Sequence, residues 1–240
     1  MKKYIAGGLI VFMAMIVSFA GDSAVFVDGG FSPDGKYYAF GQYGKTDKKF
    51  QGWAEIYTVD VEKNVYTSDG VFITKPSSST YNKSGKEVYE ALAARSRAIT
   101  GKYSFAPAKP DCILYIREDE NKSGTDAISF KDFSGSVSDE QAHYSVKLIS
   151  DVSGSGENIK SSFVIMLEKV DENGKTIATQ KIGSPNIVRS GVSAYKIEKI
   201  VCDNSGNNIV FIIEKTVEDK TGVNIRYMIE SAKLSADFFN

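Results

Sequence analysis

Apolar and polar residues alternate along most of the chain after residue 20, and this pattern constrains the fold more than any other feature. The alternation is clearest in AEIYTVDV (54–61), AHYSVKL (142–148) and VNIRYMIE (223–230). A period of two predicts strands that bury one face. Two nearly continuous apolar runs, SFVIML (162–167) and NIVFII (208–213), predict central strands covered on both faces. The chain is therefore expected to be mainly β.

Two local signals complete this outline of the secondary structure. VDENGKT (170–176) carries an Asn-Gly pair, which predicts a β-hairpin. SGKEVYEALAARSRAIT (84–100) is rich in helix formers and predicts one helix, with Ser84 as its N-cap and Gly101 at its end. The residues expected to pack this helix on the sheet are Val88, Leu92 and Ile99.

The first twenty residues differ in kind from the rest. Lys2 and Lys3 precede an uninterrupted apolar run (4–20), and Ser18 and Ala20 place small side chains where a signal peptidase needs them. We expect a signal peptide (1–20) cleaved after Ala20, with an uncleaved membrane anchor as the alternative. Export to the periplasm or the medium follows, with one mainly β domain over 21–240 and no membrane span in the mature chain.

The charge balance bears on the class of partner. The formal net charge is −1, and loss of the two leader lysines changes it to −3. A chain without basic excess has little to neutralise phosphates, so nucleic acid is not an expected partner.

Two cysteines, Cys112 and Cys202, remain in the exported chain. In an oxidising compartment they can form a disulfide that would stabilise the fold by roughly 4 to 5 kcal/mol. They can equally remain buried thiols, and the sequence does not distinguish the two states.

A turn-and-strand unit occurs near both ends of the exported chain. FSPDGKYYAF (31–40) and VCDNSGNNIVF (201–211) each place a phenylalanine five residues after a turn glycine. The matched positions are Gly35 and Gly206, Phe40 and Phe211, and Tyr57 and Tyr227. We expect repeated antiparallel strand pairs over about 31–61 and 201–231, with each phenylalanine and tyrosine in one core layer.

FSPDGKYYAF followed by AEIYTVDVE resembles the WD-repeat-like blade of TolB-type periplasmic β-propellers. Together with the leader and the VNIRYMIE strand, the paired ends are similar to a family of bacterial predicted secreted proteins of unassigned function. A full propeller needs at least four blades and two are visible. The expected fold is therefore antiparallel blade-like sheets, as a partial propeller or a β-sandwich, with a helical insertion over about 85–100. The resemblance implies a protein-binding or scaffolding role and transfers no catalytic residues.

Residues that could support catalysis or metal binding are sparse. A serine-type mechanism needs a histidine base, and the single histidine, His143, is expected to face water beside Ser145 and Lys147. The segment from Asp203 to Glu214 lacks the turn glycine of a calcium loop and is better explained as a hairpin. We therefore expect no enzyme activity, no cofactor and no metal.

The loop GQYGKTDKKFQG (41–52) is basic and aromatic, and we predict that a contact site would lie there. Its candidate contact residues are Tyr43, Lys45, Lys48, Lys49 and Phe50. The expected function is binding or scaffolding of an envelope protein. The alternatives are a hydrolase that uses acidic residues, which a deep cleft with two converging carboxylates would favour, and a small-ligand carrier.

Overall fold

The computed structural model describes residues 21–118, 127–131, 133, 143–220 and 222–239, so the predicted signal peptide lies outside it. As the sequence predicts, the described chain is mainly β, with antiparallel sheets and one α-helix.

The first sheet consists of four strands in chain order. They are β1 (Val25–Phe31), β2 (Tyr37–Lys45), β3 (Gly52–Asp60) and β4 (Val65–Thr74). Aromatic rings line one face, where the Phe40 ring lies 5.0 Å from Tyr57 and the Tyr57 ring lies 4.8 Å from Tyr66. Such cross-strand aromatic pairs stabilise a sheet beyond the area that they bury.

The helix α1 (Gly85–Thr100) packs on the other face of the first sheet. Ser84 caps it as predicted, because its hydroxyl accepts the Glu87 N–H at 3.2 Å and Glu87 accepts the Ser84 N–H at 2.7 Å. Val88 and Leu92 are buried against β3, whereas Ile99 is 36% exposed. The prediction for Ile99 is wrong, because the sheet covers the apolar side of the helix near its start and leaves the last turn open.

The second sheet contains five strands, and three of them pair with one central strand. They are β6 (Ile128–Lys131), β7 (His143–Ser153), β8 (Lys160–Val170), β9 (Thr176–Ile182) and β10 (Arg189–Ser190). The predicted hairpin joins β8 to β9, and its turn is closed by a hydrogen bond from the Gly174 N–H to the Asp171 oxygen at 3.0 Å. Gly174 supplies the positive φ of 78° that this turn requires.

The third sheet has the order β13, β12, β11, β5. Its strands are β5 (Ile113–Ile116), β11 (Val192–Cys202), β12 (Asn208–Asp219) and β13 (Gly222–Lys233). Successive side chains of β12 point to opposite faces of the sheet. Val210 and Ile212 face the first sheet, whereas Phe211 and Ile213 face the second. The third sheet is therefore the middle layer, and its apolar run is covered on both sides as predicted.

The two repeated units have the same turn but different surroundings beyond it. Both regions are strand, and Phe40 and Phe211 are both buried. Phe40 lies between the first and third sheets and pairs with Tyr57, but Phe211 lies between the third and second sheets and pairs with Glu230.

The expected single layer of phenylalanine and tyrosine is thus wrong for the second unit. There Tyr227 faces the first sheet, with its ring 5.3 Å from Phe26. The cause lies in the hairpin connections. β12 and β13 are joined by a much tighter turn than β2 and β3, so both strands are longer and the register differs.

Candidate functional site

The loop between β2 and β3 is held by its own hydrogen bonds. Thr46 and Gln51 close it, since the Thr46 N–H donates to the Gln51 oxygen at 3.0 Å and the Gln51 N–H donates to the Thr46 hydroxyl at 3.1 Å. Phe50 has a φ of 50°, a left-handed conformation that costs a residue with a side chain about 1 kcal/mol. Phe50 is 54% exposed. The fold therefore holds this loop in a defined shape with an aromatic ring in solvent.

The structure divides the five predicted contact residues into three groups. Lys48 and Lys49 line a cavity of about 390 Å³ beneath the loop. The Lys45 ammonium lies 5.6 Å above the Phe50 ring, a cation–π contact at the surface. Tyr43 is half-buried with its ring 5.4 Å from Tyr89 of α1, so it belongs to the packing between helix and sheet.

We call the cavity beneath this loop the tip cavity. Its wall contains three lysines, Lys48, Lys49 and Lys75, and also Asp47. In the part of the chain that the structure describes, these lysines take part in no ion pair. The rim therefore carries more positive charge than its own acid neutralises.

Asp22 also lines the tip cavity, but the fold itself uses its charge. The Trp53 indole N–H donates to Asp22 Oδ2 at 3.0 Å, and Arg226 forms an ion pair with the other carboxylate oxygen. The Arg226 guanidinium stacks 4.1 Å above the Trp53 ring. The Asp22 N–H donates to Asn224 Oδ1 at 3.0 Å. Because Asp22 is 6% exposed and already paired, it does little to offset the lysines at the rim.

The tip cavity is suited to an anionic group. Its volume falls in the range of small-ligand pockets, roughly 300 to 1,000 Å³. Lysine ammonium groups carry three donors each and pair with carboxylates or phosphates. Two exposed aromatic residues belong to the same region, Phe50 in the loop and Tyr81 next to it, since the Asn82 N–H donates to the Phe50 oxygen and Gln51 pairs with Tyr81. A partner could thus meet charge and apolar surface together.

Sequence reasoning missed most of the residues beneath the loop. Lys75 and Asn224 come from distant parts of the chain, and Asp22 follows the predicted leader. Trp53 stands out as the single tryptophan, but nothing around it indicates a stacked arginine. These residues meet through tertiary packing, and local patterns carry no signal for them.

Among the carboxylates that the structure describes, Glu198 and Glu214 form a close pair. Arg117 Nε donates to Glu198 at 2.7 Å, and its guanidinium lies 3.7 Å from Glu214. Burial, and next the neighbouring Glu198, raise the pKa of Glu214. Neither acid lines the tip cavity or the shallow groove of about 630 Å³ beside Asn64 and Ser231.

The other residues considered for catalysis or metal binding lie in strands and turns of the fold. His143 is half-buried at the start of β7, next to the half-buried Ser145, while Lys147 is exposed. The Asp203 carboxylate accepts the Asn208 N–H at 3.0 Å and closes the turn before β12. Within the described residues, no group of three or more histidine, cysteine and acidic side chains could hold a metal ion. Acidic residues of 119–126 lie outside the described residues.

The cysteines predicted as a candidate disulfide lie side by side. Cys112 is half-buried and Cys202 is buried, and both are thiols here. Burial, together with the adjacent Cys112 thiol, raises the pKa of Cys202 well above its usual range. Cys112 also donates to the Asp203 oxygen at 3.7 Å. Oxidation of this pair stays a prediction.

Comparison with known proteins identifies a family. A model of the family described as "Predicted secreted protein (DUF2259)" matches residues 39–233. No curated protein and no solved structure matches the chain. None of the helices in the described ranges is both long and apolar enough to cross a membrane. The family description agrees with the export that the leader predicts, and the protein is secreted or periplasmic. The chain belongs to this family of predicted secreted proteins.

Proposed function

We propose that this protein is a non-catalytic binding module of the cell envelope, which takes an acidic segment of a protein partner at the tip cavity. The observation that carries the proposal is a set of three lysines, Lys48, Lys49 and Lys75, which line a cavity of ligand size and have no ion-pair partner among the described residues. The exposed rings of Phe50 and Tyr81 would contact apolar side chains of the same segment. Aromatic rings beside charged groups are typical of protein recognition surfaces.

The scaffold that we propose for this role is blade-like. Three antiparallel sheets stack face to face. In two of them, the first and the third, one strand follows a glycine turn of the same form. A rigid stack of this kind holds its connecting loops in fixed positions, as binding scaffolds do. The partial propeller is thus our interpretation of the stack, and the loop at its end is the binding element.

The competing function, a hydrolase, has one pair of acids in its favour. Glycosidases separate their two carboxylates by about 5 to 9.5 Å so that substrate or water fits between them. Here the guanidinium of Arg117 lies between the two acids and pairs with both Glu198 and Glu214. This geometry supports a structural role for the pair, and the binding module is the better-supported proposal.

The decisive experiment measures binding of a hexaglutamate peptide to the mature protein by calorimetry at low and moderate salt. We expect binding that weakens as salt rises. Replacing the three rim lysines together (Lys48→Gln, Lys49→Gln, Lys75→Gln) should weaken binding by about threefold to a hundredfold, since each ammonium contributes about 0.2 to 1 kcal/mol at an exposed site.

A matched control removes the same charge from the second sheet. Lys147, Lys175 and Lys181 are exposed and lie outside the tip cavity. The triple variant Lys147→Gln, Lys175→Gln, Lys181→Gln should bind hexaglutamate within about twofold of wild type. Equal loss in both triple variants would show that net charge alone attracts the peptide and would reject the tip cavity. Tight binding of inorganic phosphate, without binding of the peptide, would instead support a small-ligand carrier.

A further inference from the structure

Gly21 is the first residue after the predicted cleavage site, and it lies in the wall of the tip cavity. It shares that wall with Lys48, Lys49 and Lys75. Cleavage between Ala20 and Gly21 would therefore create a new chain end inside the site proposed above.

The backbone around Gly21 is fixed to the edge of β13. The Asp22 N–H donates to Asn224 Oδ1, the Ile225 N–H donates to the Asp22 oxygen at 3.0 Å, and the Ala24 N–H donates to the Ile225 oxygen at 3.1 Å. Ser23 and Ile225 pair in parallel, so residues 22–24 extend the third sheet by a short strand. The chain end is thus held in place by the sheet.

Packing at Gly21 leaves no room for a side chain. A Cβ atom placed there would lie 1.4 Å from the Val223 backbone oxygen. Only glycine can occupy this position without moving the strand. Gly21 is therefore packed closely against β13 while it lines the same cavity as the rim lysines.

Cleavage changes the chemistry of that nitrogen. Hydrolysis of the Ala20–Gly21 amide adds water, which leaves a carboxylate on Ala20 and an amine on Gly21. Before cleavage the nitrogen is a neutral amide with one N–H donor. Afterwards it is an α-amine whose pKa is ordinarily about 7.7 to 8.0, so most of it is an ammonium with three donors at pH 7.

The charged groups that line the tip cavity with Gly21 are those described above. Lys48, Lys49 and Lys75 are cations at the rim, and Asp47 is the exposed acid beside them. Asp22 is paired with Arg226 beneath the cavity. A new ammonium would consequently add to the positive charge that faces a ligand.

We propose that the Gly21 α-ammonium is the fourth cation of the tip cavity, so that removal of the signal peptide completes the binding site for an acidic segment. This inference rests on the function proposed above and adds a regulation to it. The precursor carries one charge less at the site, and the acidic partner is engaged fully after export and cleavage.

The test compares two chains that differ at this nitrogen. One is the mature chain beginning at Gly21, and the other is the same chain with its α-amine acetylated, and hexaglutamate is the probe. At pH 7 the acetylated chain should bind about fivefold more weakly, the ratio expected of one exposed charge contact. Thermal melting of both chains at pH 7 shows whether the fold is retained.

The pH profile separates this amine from the lysines. As the pH rises from 6.5 to 9.0 the mature chain should lose affinity through about pH 8, because its α-ammonium deprotonates, whereas the acetylated chain should change little. Reference lysine amines titrate near 10.4 and stay charged over this range.

Each outcome is decisive. Equal affinities and flat profiles for both chains would overturn the role of Gly21, while the rim-lysine triple variant would still report on the proposed binding function. If neither chain binds, or if the lysine variant binds as wild type does, the proposed function fails and this inference fails with it. A loss of affinity with rising pH that occurs only in the mature chain supports both the proposed function and the role of Gly21.

Discussion

Gly35 lies directly against the carboxylate of Asp203, so the two repeated turns are in contact. A Cβ atom on Gly35 would lie 2.2 Å from Asp203 Oδ2. Gly35 and Gly206 have the same φ of 70°, and each donates its N–H to the residue three positions earlier, at 2.9 Å and 3.0 Å. The order of serine and aspartate is reversed between the two turns. Ser32 precedes Asp34 and donates to it, whereas Ser205 follows Asp203 and donates to it.

Substituting the two turn glycines should separate backbone strain from packing. Both Gly35→Ala and Gly206→Ala place a side chain at a φ of 70°, which costs about 1 to 2 kcal/mol. Gly35→Ala also forces the Asp203 carboxylate to move, whereas the nearest atom at Gly206 is 3.5 Å away. We expect Gly35→Ala to lower the free energy of unfolding by about 1 to 3 kcal/mol more than Gly206→Ala.

Urea denaturation of both variants checks this expectation. Gly174→Ala is the surface control, because its φ is 78° and no atom lies within 4 Å of the added carbon. Equal losses for Gly35→Ala and Gly206→Ala would contradict the contact between the turns.

The neighbouring thiols of Cys112 and Cys202 should form a disulfide in the exported protein. Exchange with a disulfide-bonded oxidant of the envelope would transfer two electrons from the thiols to that oxidant. Closing so long a loop should raise the free energy of unfolding by roughly 4 to 5 kcal/mol in the chain-entropy model. Mass spectrometry of unreduced, alkylated protein should show the loss of two hydrogen atoms.

The control for the disulfide is the single variant Cys112→Ser. Its stability should not respond to reductant, whereas wild type should lose stability when reduced. Alkylation of both thiols in unreduced, exported wild type would reject the bridge.

The pair of acids Glu198 and Glu214 predicts a pH dependence of stability. The pKa of Glu214 is raised in the folded state, by burial and then by Glu198. A raised pKa means that this group stabilises the fold below its ordinary pKa of about 4.5, and that this stabilisation is lost as the pH rises through the folded-state pKa. Glu214→Gln should therefore flatten the fall in unfolding free energy that accompanies a rise in pH above about 4.5.

Denaturant titrations at several pH values measure this slope. Glu172→Gln in the exposed β8–β9 turn is the control and should leave the slope unchanged. Glu230, whose pKa is also raised by burial, should leave a residual slope of the same sign in Glu214→Gln. A wild-type slope that Glu214→Gln does not reduce would contradict the raised pKa of Glu214.

Asp22 should anchor the short strand 22–24 to the third sheet. Asp22→Asn removes the buried charge that pairs with Arg226, and we expect a loss of about 2 to 3 kcal/mol, below the usual range for a buried pair because Arg226 is partly exposed. Amide hydrogen exchange at Ala24 and Ile225 should accelerate, since these residues pair across the strand. Trp53→Phe keeps a ring beneath Arg226 and should lower the free energy of unfolding by less than Asp22→Asn does. A larger loss in Trp53→Phe would indicate that the indole N–H is the main anchor.

Much of the fold could be predicted because its signals are local. Alternation locates strands such as β3 and β13, the Ser84 cap locates the start of α1, and the Asn-Gly pair locates the β8–β9 turn. Each depends on residues a few positions apart, whose geometry is set by backbone sterics and hydrogen bonding. Part of the candidate site could be predicted in the same way, because the basic, aromatic loop is visible in the sequence.

Register and layer order could not be obtained from the same signals. The matched spacing of Tyr57 and Tyr227 predicts equivalent layers, but the tight turn after β12 shifts the strand pairing and places Tyr227 opposite Glu214. Similarly, the helical spacing marks Ile99 as apolar-facing and cannot tell how far the sheet extends beneath it.

The sequence by itself determined much of the secondary structure and the form of the two glycine turns, and it predicts an export signal, because each is specified by neighbouring residues. Tertiary structure alone decided that the third sheet lies in the middle, that Cys112 lies beside Cys202, and that Lys75 joins Lys48 around the tip cavity. The physical reason is that periodicity specifies which face of an element is buried. Which surface covers that face depends on contacts between residues far apart in the chain.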